Sequence, residues 1–323
     1  MTEEPVAAVP VTVRDWRLLR EELPARGSWQ MAVDEAILRE VGTHHSPPTL
    51  RLYSWARPTV SLGANQEAQV VNRRRLRELG YDLVRRPSGG RAVLHDREVT
   101  YSVVMPVDLP GLPAGIIASY RYLSRALLAG LARLGAPVGL YLPRAMASSA
   151  GGDGGTGGGG GRGGPARSSR EVNRRSAMAA CFASPSWYEL TAGGRKVVGS
   201  AQVRRHGGLL QHGSILLHLD EELFLSLLNH EEEDDRDLAI RVLQGHATAL
   251  DRVLGRELAW LEVADALVAG FEAALGITLR PGGLTSREQA LARQLEDEKY
   301  GADSWTLRRY ESDHESGAEA DSG

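Results

Sequence analysis

Residues 194–217 read GRKVVGSAQVRRHGGLLQHGSILL, and this stretch decides the fold. Arg195 to Ser200 alternates like a strand and is preceded by a second strand-like run, Trp187 to Thr191. The pair Gly193-Gly194 between them suits a tight hairpin turn. Lys196 lies on one strand face, and the small residues Gly199, Ser200 and Ala201 form a corner where a chain-like ligand can pass close to the backbone. Gly208 to Leu219 reads as a further strand, in which His212, Gly213 and Ser214 put small and polar residues beside an apolar run. That suits one wall of an acyl tunnel. The plain alternative is an exposed strand lysine followed by a turn.

Upstream, Trp16 to Leu19, Leu50 to Trp55, Thr59 to Leu62, Tyr81 to Arg86 and Val99 to Val107 read as strands. Ser28 is an N-cap candidate for a helix to Val41, Asn65 to Leu79 is predicted helical, and Ile116 to Leu134 is a long amphipathic helix. A short strand is expected near Val138 to Tyr141. From Asp220 onward the pattern is helical, at about 220–229, 236–254, 261–275 and 286–299, the last opened by a capping box from Thr285 to Glu288. The acidic run Glu231 to Asp235 reads as a solvated loop. Strands grouped centrally, with helices before, between and after them, predict an α+β fold with a mixed β-sheet flanked by helices. Residues 14–235 form the predicted main domain and 236–310 a helical C-terminal extension packing on it. Residues 151–164 hold eleven glycines in fourteen positions and are expected to be a disordered insertion, as is the polar tail 311–323. The insertion lacks the lysine and hydroxyl ending of a phosphate-binding loop.

The chain has 323 residues and a net charge of −3, and no segment joins a basic run to an RNA-binding aromatic pattern. Nucleic acid is therefore not an expected partner. One cysteine makes no internal disulfide, which fits a reducing compartment. The start, MTEEPVAAVPV, is acidic where a signal peptide needs positive charge, and no run approaches the ~20 apolar residues of a membrane span. The expectation is a cytoplasmic protein with no membrane contact.

That one cysteine, Cys181, lies in ACFASPSWYELTAGGRKVVGSAQ, fifteen residues before Lys196. Lys196 is one of two lysines against 36 arginines. A thiolate is the nucleophilic form of cysteine, and a nearby cation favours it. A lone cysteine is also commonly a small buried hydrophobe. The segment Arg85-Arg86-Pro87-Ser88-Gly89-Gly90-Arg91-Ala92-Val93-Leu94-His95-Asp96 supplies a glycine turn whose amides can meet a carbonyl or phosphate oxygen, with charge from Arg86 and Arg91. Taken alone, such a turn is often only a turn, and a histidine like His95 only structural. His212 and His218 are too isolated to make a metal site.

Together RRPSGGRAVLHD, TYSVV, GRKVVGSAQ and LLQHGSILL resemble the lipoate-protein ligase and octanoyltransferase family, which shares the catalytic fold of biotin protein ligases. CFASPSWYEL resembles the LipM-type octanoyltransferases in particular. The similarity runs from about Trp16 to about Tyr310. The resemblance implies transfer of octanoyl from octanoyl-acyl carrier protein to a lysine of a lipoyl domain, such as the glycine-cleavage H protein, with no cofactor. It puts Cys181 on the thioester-forming nucleophile and Lys196 on the lysine that activates it. It puts the Ser88-Gly89-Gly90-Arg91 turn on the loop covering the acyl group. Arg91 stands where ATP-dependent ligases more often carry a third small residue, which favours the transferase. Three rivals remain: an amidotransferase between lipoyl domains, an ATP-dependent lipoate ligase, and a non-catalytic adaptor binding carrier proteins. For docking of an acidic partner, Arg73, Arg74, Arg75 and Arg77 are the first candidates and Arg204 and Arg205 the second.

Overall fold

The computed structural model describes residues 14–141, 189–229 and 233–308. Cys181, the glycine-rich stretch 151–164 and the tail 311–323 lie outside the described residues. In chain order the elements are β1 (Asp15–Arg20), α1 (Gly27–Gly42), β2 (Thr49–Tyr53), β3 (Thr59–Leu62), a 3₁₀ turn (Ala68–Val70), α2 (Arg73–Leu79), β4 (Asp82–Arg85), β5 (Val93–His95) and β6 (Glu98–Pro106). There follow α3 (Ile116–Arg133), β7 (Val138–Leu140), β8 (Leu190–Ala192), β9 (Arg195–Arg205) and β10 (Gly208–Leu216). The last elements are α4 (Glu221–Ser226), α5 (Glu233–His246), α6 (Leu250–Leu254), α7 (Trp260–Leu275), β11 (Thr278–Pro281), α8 (Ser286–Leu295), a π-helical turn (Glu296–Tyr300) and α9 (Asp303–Thr306).

The main sheet has eight strands in the order β11-β1-β2-β6-β10-β9-β8-β7, and β4-β3-β5 form a second sheet of three. The main sheet is mixed: β1 runs parallel to β2 and β11, while β6, β10, β9 and β8 pair antiparallel in series. On one sheet face, Leu50, Leu52, Tyr101 and Val103 pack with Leu123 and Leu127 of α3 and Leu267 and Phe271 of α7. On the other, Tyr53, Val104 and Leu210 meet Met31, Val33, Ile37 and Leu38 of α1. The apolar residues of α1 and α3 thus cover opposite sides of one sheet, which is the mixed-sheet architecture expected from the sequence.

Four local expectations are corrected. The helix predicted over Asn65 to Leu79 is broken, because the Asn72 side chain accepts from Arg75 N–H at 3.0 Å and starts α2 afresh. Ser28 does not cap α1: Arg26 holds the N-cap position, and Ser28 Oγ donates to Glu296 instead, at 2.7 Å. The acidic run is not all loop, since α5 begins at Glu233. The region after Asp220 is not wholly helical, since β11 joins the main sheet beside β1. Four residues ending in proline carry no readable alternation, and pairing with β1 is what makes them a strand.

The capping box of α8 is present, with Thr285 Oγ1 accepting from Glu288 N–H and Glu288 accepting from Thr285 N–H. Glu288 also takes a bidentate pair from Arg17 of β1, at 2.7 and 2.6 Å, with its side chain fully buried. Burial opposes its ionisation, but the Arg17 guanidinium outweighs this and holds the carboxyl below its ordinary range. Removing one partner of a buried pair leaves the other charge uncompensated. Glu288→Ala should therefore lower unfolding free energy by about 3–5 kcal/mol, read as a reduced urea midpoint with an unchanged slope.

Candidate active site

Ten of the sequence candidates, Arg86, Gly90, Arg91, His95, Lys196, Gly199, Ser200, Ala201, His212 and Gly213, line one cavity of about 410 Å³. Its apolar wall comes from beyond the sheet, where α4 gives Leu223 and Phe224 and α5 gives Leu243. The opposite wall is the β9–β10 pair. There Gly213 faces Ser200 and Tyr101, and a Cβ at position 213 would sit 2.2 Å from the Gly199 carbonyl oxygen. Only glycine lets the strand run this close to its neighbour.

Lys196 enters this cavity from β9, just after a turn in which Gly193 and Gly194 have φ of 55° and 76°. Such a turn requires left-handed backbone at both central positions. The Lys196 ammonium donates to Glu189 at 2.5 Å; its own side chain is 35% exposed and that of Glu189 only 3%. Glu189 lies within the quoted CFASPSWYEL, yet its role as partner needed the hairpin to be seen.

Two serine–histidine–carboxylate chains lie under the cavity. Ser88 Oγ bonds His212 Nε2 at 2.5 Å, and His212 Nδ1 faces Asp34 at 3.0 Å. Ser61 Oγ bonds His95 Nε2 at 2.8 Å, and His95 Nδ1 faces Glu98 at 2.8 Å. Trp55 stacks on His95 with ring centroids 4.2 Å apart and donates its indole N–H to Thr100 at 2.7 Å. Asp34, Ser61 and Glu98 were missed in the sequence. Glu98 had a faint signal, three residues after His95; Asp34 and Ser61 had none.

Burial opposes the Asp34 charge, but the His212 hydrogen bond and Arg51 overcome it and hold Asp34 below its ordinary range. For His212 burial dominates, with Asp34 opposing, and its pKa falls below the ordinary 6.5. The imidazole is therefore neutral, donating Nδ1–H to Asp34 and accepting the Ser88 hydroxyl at Nε2.

The other two predicted loop residues do not line the cavity. Ser88 is fully buried behind it, against His212, and the Gly89 carbonyl accepts from Arg86. Arg86 lines the cavity but is spent on shape: its guanidinium donates to the carbonyls of Ser61, Gly89 and Arg91 at 2.8–3.2 Å. Burial pulls its pKa down to about 10, still a cation at neutral pH. For the docking candidates, Arg74 and Arg75 both pair with Glu78, and Arg204 donates to Gly115 O and Ser119 Oγ.

This fold has counterparts in solved lipoate ligases. A bipartite lipoate protein ligase of Thermoplasma acidophilum aligns with a TM-score of 0.70 at 25% identity, covering 92% of this chain and 99% of that one. A lipoate-protein ligase A bound with ATP aligns at 0.66 and 25%, covering 91% and 98%. The profile of the lipoyl protein ligase A/B catalytic domain matches residues 26–272. An octanoyltransferase LipM of Symbiobacterium thermophilum is 43% identical over 296 residues, 91% of this chain and 99% of that protein. One of Kyrpidia tusciae is 42% identical over 300 residues, 92% and 100%. The chain belongs to the lipoyl protein ligase A/B catalytic domain family and, within it, to the LipM octanoyltransferases. Among the described residues, no helix is long and apolar enough to cross a membrane.

The neutral state of His212 has a stability consequence. The unfolded chain takes up a proton on this ring below about pH 6.5, whereas the folded chain resists it to lower pH. Stability therefore falls as pH drops through that value. His206, also lowered by burial, acts with the same sign. His212→Gln should lose stability at pH 7 but show a shallower fall in Tm between pH 7 and about 5. Scanning calorimetry across that range measures both.

Proposed function

We propose that this chain is an octanoyltransferase of lipoate biosynthesis that works in the cytoplasm in two steps through a Cys181 thioester. Octanoyl leaves octanoyl-acyl carrier protein for Cys181, and passes from Cys181 to a lysine of a lipoyl domain, such as the glycine-cleavage H protein. In the first step the Cys181 thiolate attacks the carrier thioester, a new C–S bond forms, and the carrier thiolate leaves. In the second, the acceptor amine attacks the Cys181 thioester, a C–N bond forms, the C–S bond breaks, and the amine gives up a proton. Exchange between thioesters is nearly neutral in energy, and amide formation drives the reaction without ATP.

The observation that carries this reading is the Lys196 ammonium lining a cavity with an apolar wall of Leu223, Phe224 and Leu243. An acyl chain suits that wall, and the ammonium is a hydrogen-bond donor for the thioester carbonyl as charge develops on oxygen. One such donor is worth about 3 kcal/mol. Burial contributes about 0.8 kcal/mol per methylene, so a chain two carbons shorter should bind about tenfold more weakly.

With octanoyl-acyl carrier protein and no ATP, intact mass should show one octanoyl adduct on the enzyme. It should be labile to hydroxylamine and absent from Cys181→Ala. Lys196→Ala should slow transfer to a lipoyl domain about 100-fold or more. Transfer that needs ATP and survives Cys181→Ala would make the chain a ligase instead.

A further inference from the structure

We propose that Glu189 is a positioning residue that holds Lys196 as a hydrogen-bond donor and keeps it from becoming an acyl acceptor itself. The proposal rests on the octanoyltransferase reading and adds to it a role for a buried carboxylate. Glu189 is 2% exposed, immediately before β8, and its carbonyl accepts from Tyr141 N–H at 2.8 Å. Lys196 is pinned on β9, where its carbonyl accepts from Thr248 N–H of the α5–α6 connection at 2.8 Å. Both backbones are fixed, so the 2.5 Å contact between the side chains sets where the ammonium sits. Both residues line the cavity. A carboxylate this buried is costly unless a cation answers it, and Lys196 does so at the cavity surface.

An enzyme that handles acyl thioesters has a chemical need for this arrangement. A neutral lysine amine beside a bound thioester is a nucleophile at high effective concentration. Its attack would form a C–N bond to the octanoyl carbon, break the C–S bond and release the thiol, which takes up the proton lost by the amine. The product is an amide on Lys196 that no later thiol step reverses. An ammonium has three N–H donors and no lone pair. Held by Glu189, it can donate to the carbonyl and cannot attack it.

The test uses the full chain with octanoyl-pantetheine as donor and a lipoyl domain as acceptor. The variants are Glu189→Gln, Glu189→Asp, Lys196→Met and the double variant Glu189→Gln/Lys196→Met, with thermal midpoints measured to verify folding. Glu189→Gln should lower kcat about 10- to 100-fold with KM for the donor little changed. It should also accumulate a hydroxylamine-resistant octanoyl group that peptide mass mapping places on Lys196. Glu189→Asp, which keeps the charge, should suppress that amide. The double variant should turn over within about twofold of Lys196→Met alone, because Glu189 acts only through the lysine. Wild-type turnover in Glu189→Gln, absence of the Lys196 amide, or losses that multiply in the double variant would each overturn the proposal. A wild-type enzyme that moves no octanoyl group would instead remove the octanoyltransferase reading, and this proposal with it.

Discussion

Asp34 is a buried charge on which the interior depends. It sits in α1 with its side chain fully out of solvent and accepts from Arg51 of β2 at 2.7 Å, Ser102 of β6 at 2.9 Å and Tyr53 of β2 at 3.1 Å. His212 of β10 completes the set at 3.0 Å. An isolated carboxylate here would be prohibitively costly, so α1 can dock on the sheet only where all of these donors converge. Arg51 is tied in turn to Glu21 at 2.8 and 2.9 Å, which anchors the end of β1. Through His212 and Ser88 the same network reaches the glycine loop. One charge thus fixes helix, sheet and loop against each other.

The loop is shaped by adjacent arginines that face opposite ways. Arg86 turns inward and holds the loop carbonyls of Gly89 and Arg91. Arg85 turns to the other side, where it donates to the carbonyls of Gly63, Gln66, Trp305 and Thr306. Trp305 answers by donating its indole N–H to the Arg85 carbonyl at 2.9 Å. Residues more than two hundred positions away in sequence therefore help to fix the loop. The C-terminal region is part of the site's scaffold through these contacts and through β11 in the main sheet.

Much of this was legible in the sequence because it rests on local chemistry. Paired glycines announced the β8–β9 turn and the Thr285–Glu288 spacing announced a capping box, whereas the corner expected from Gly199 to Ala201 is uninterrupted strand within β9. What was not legible depends on contacts remote in sequence. Asp34 looks like any helix acid until Arg51, Ser102 and His212 are brought around it. β11 is too short to show a period and is defined by its partner. Arg86 was expected to present charge to a ligand, but burial directs that charge to backbone carbonyls. Ser88 was expected to face the ligand and instead completes a buried chain, since its hydroxyl is the donor that the lone pair of neutral His212 requires.

The proposed function puts the acyl chain in the cavity between β9–β10 and the α4–α5 wall, with its carbonyl at Lys196. A crystal structure of the enzyme soaked with a non-hydrolysable octanoyl-pantetheine analogue tests this most directly. The octanoyl chain should lie between Gly213 and Phe224, with its carbonyl oxygen within about 3 Å of Lys196 Nζ. An octanoyl chain bound elsewhere, or one in this cavity with its carbonyl turned away from Lys196, would contradict it.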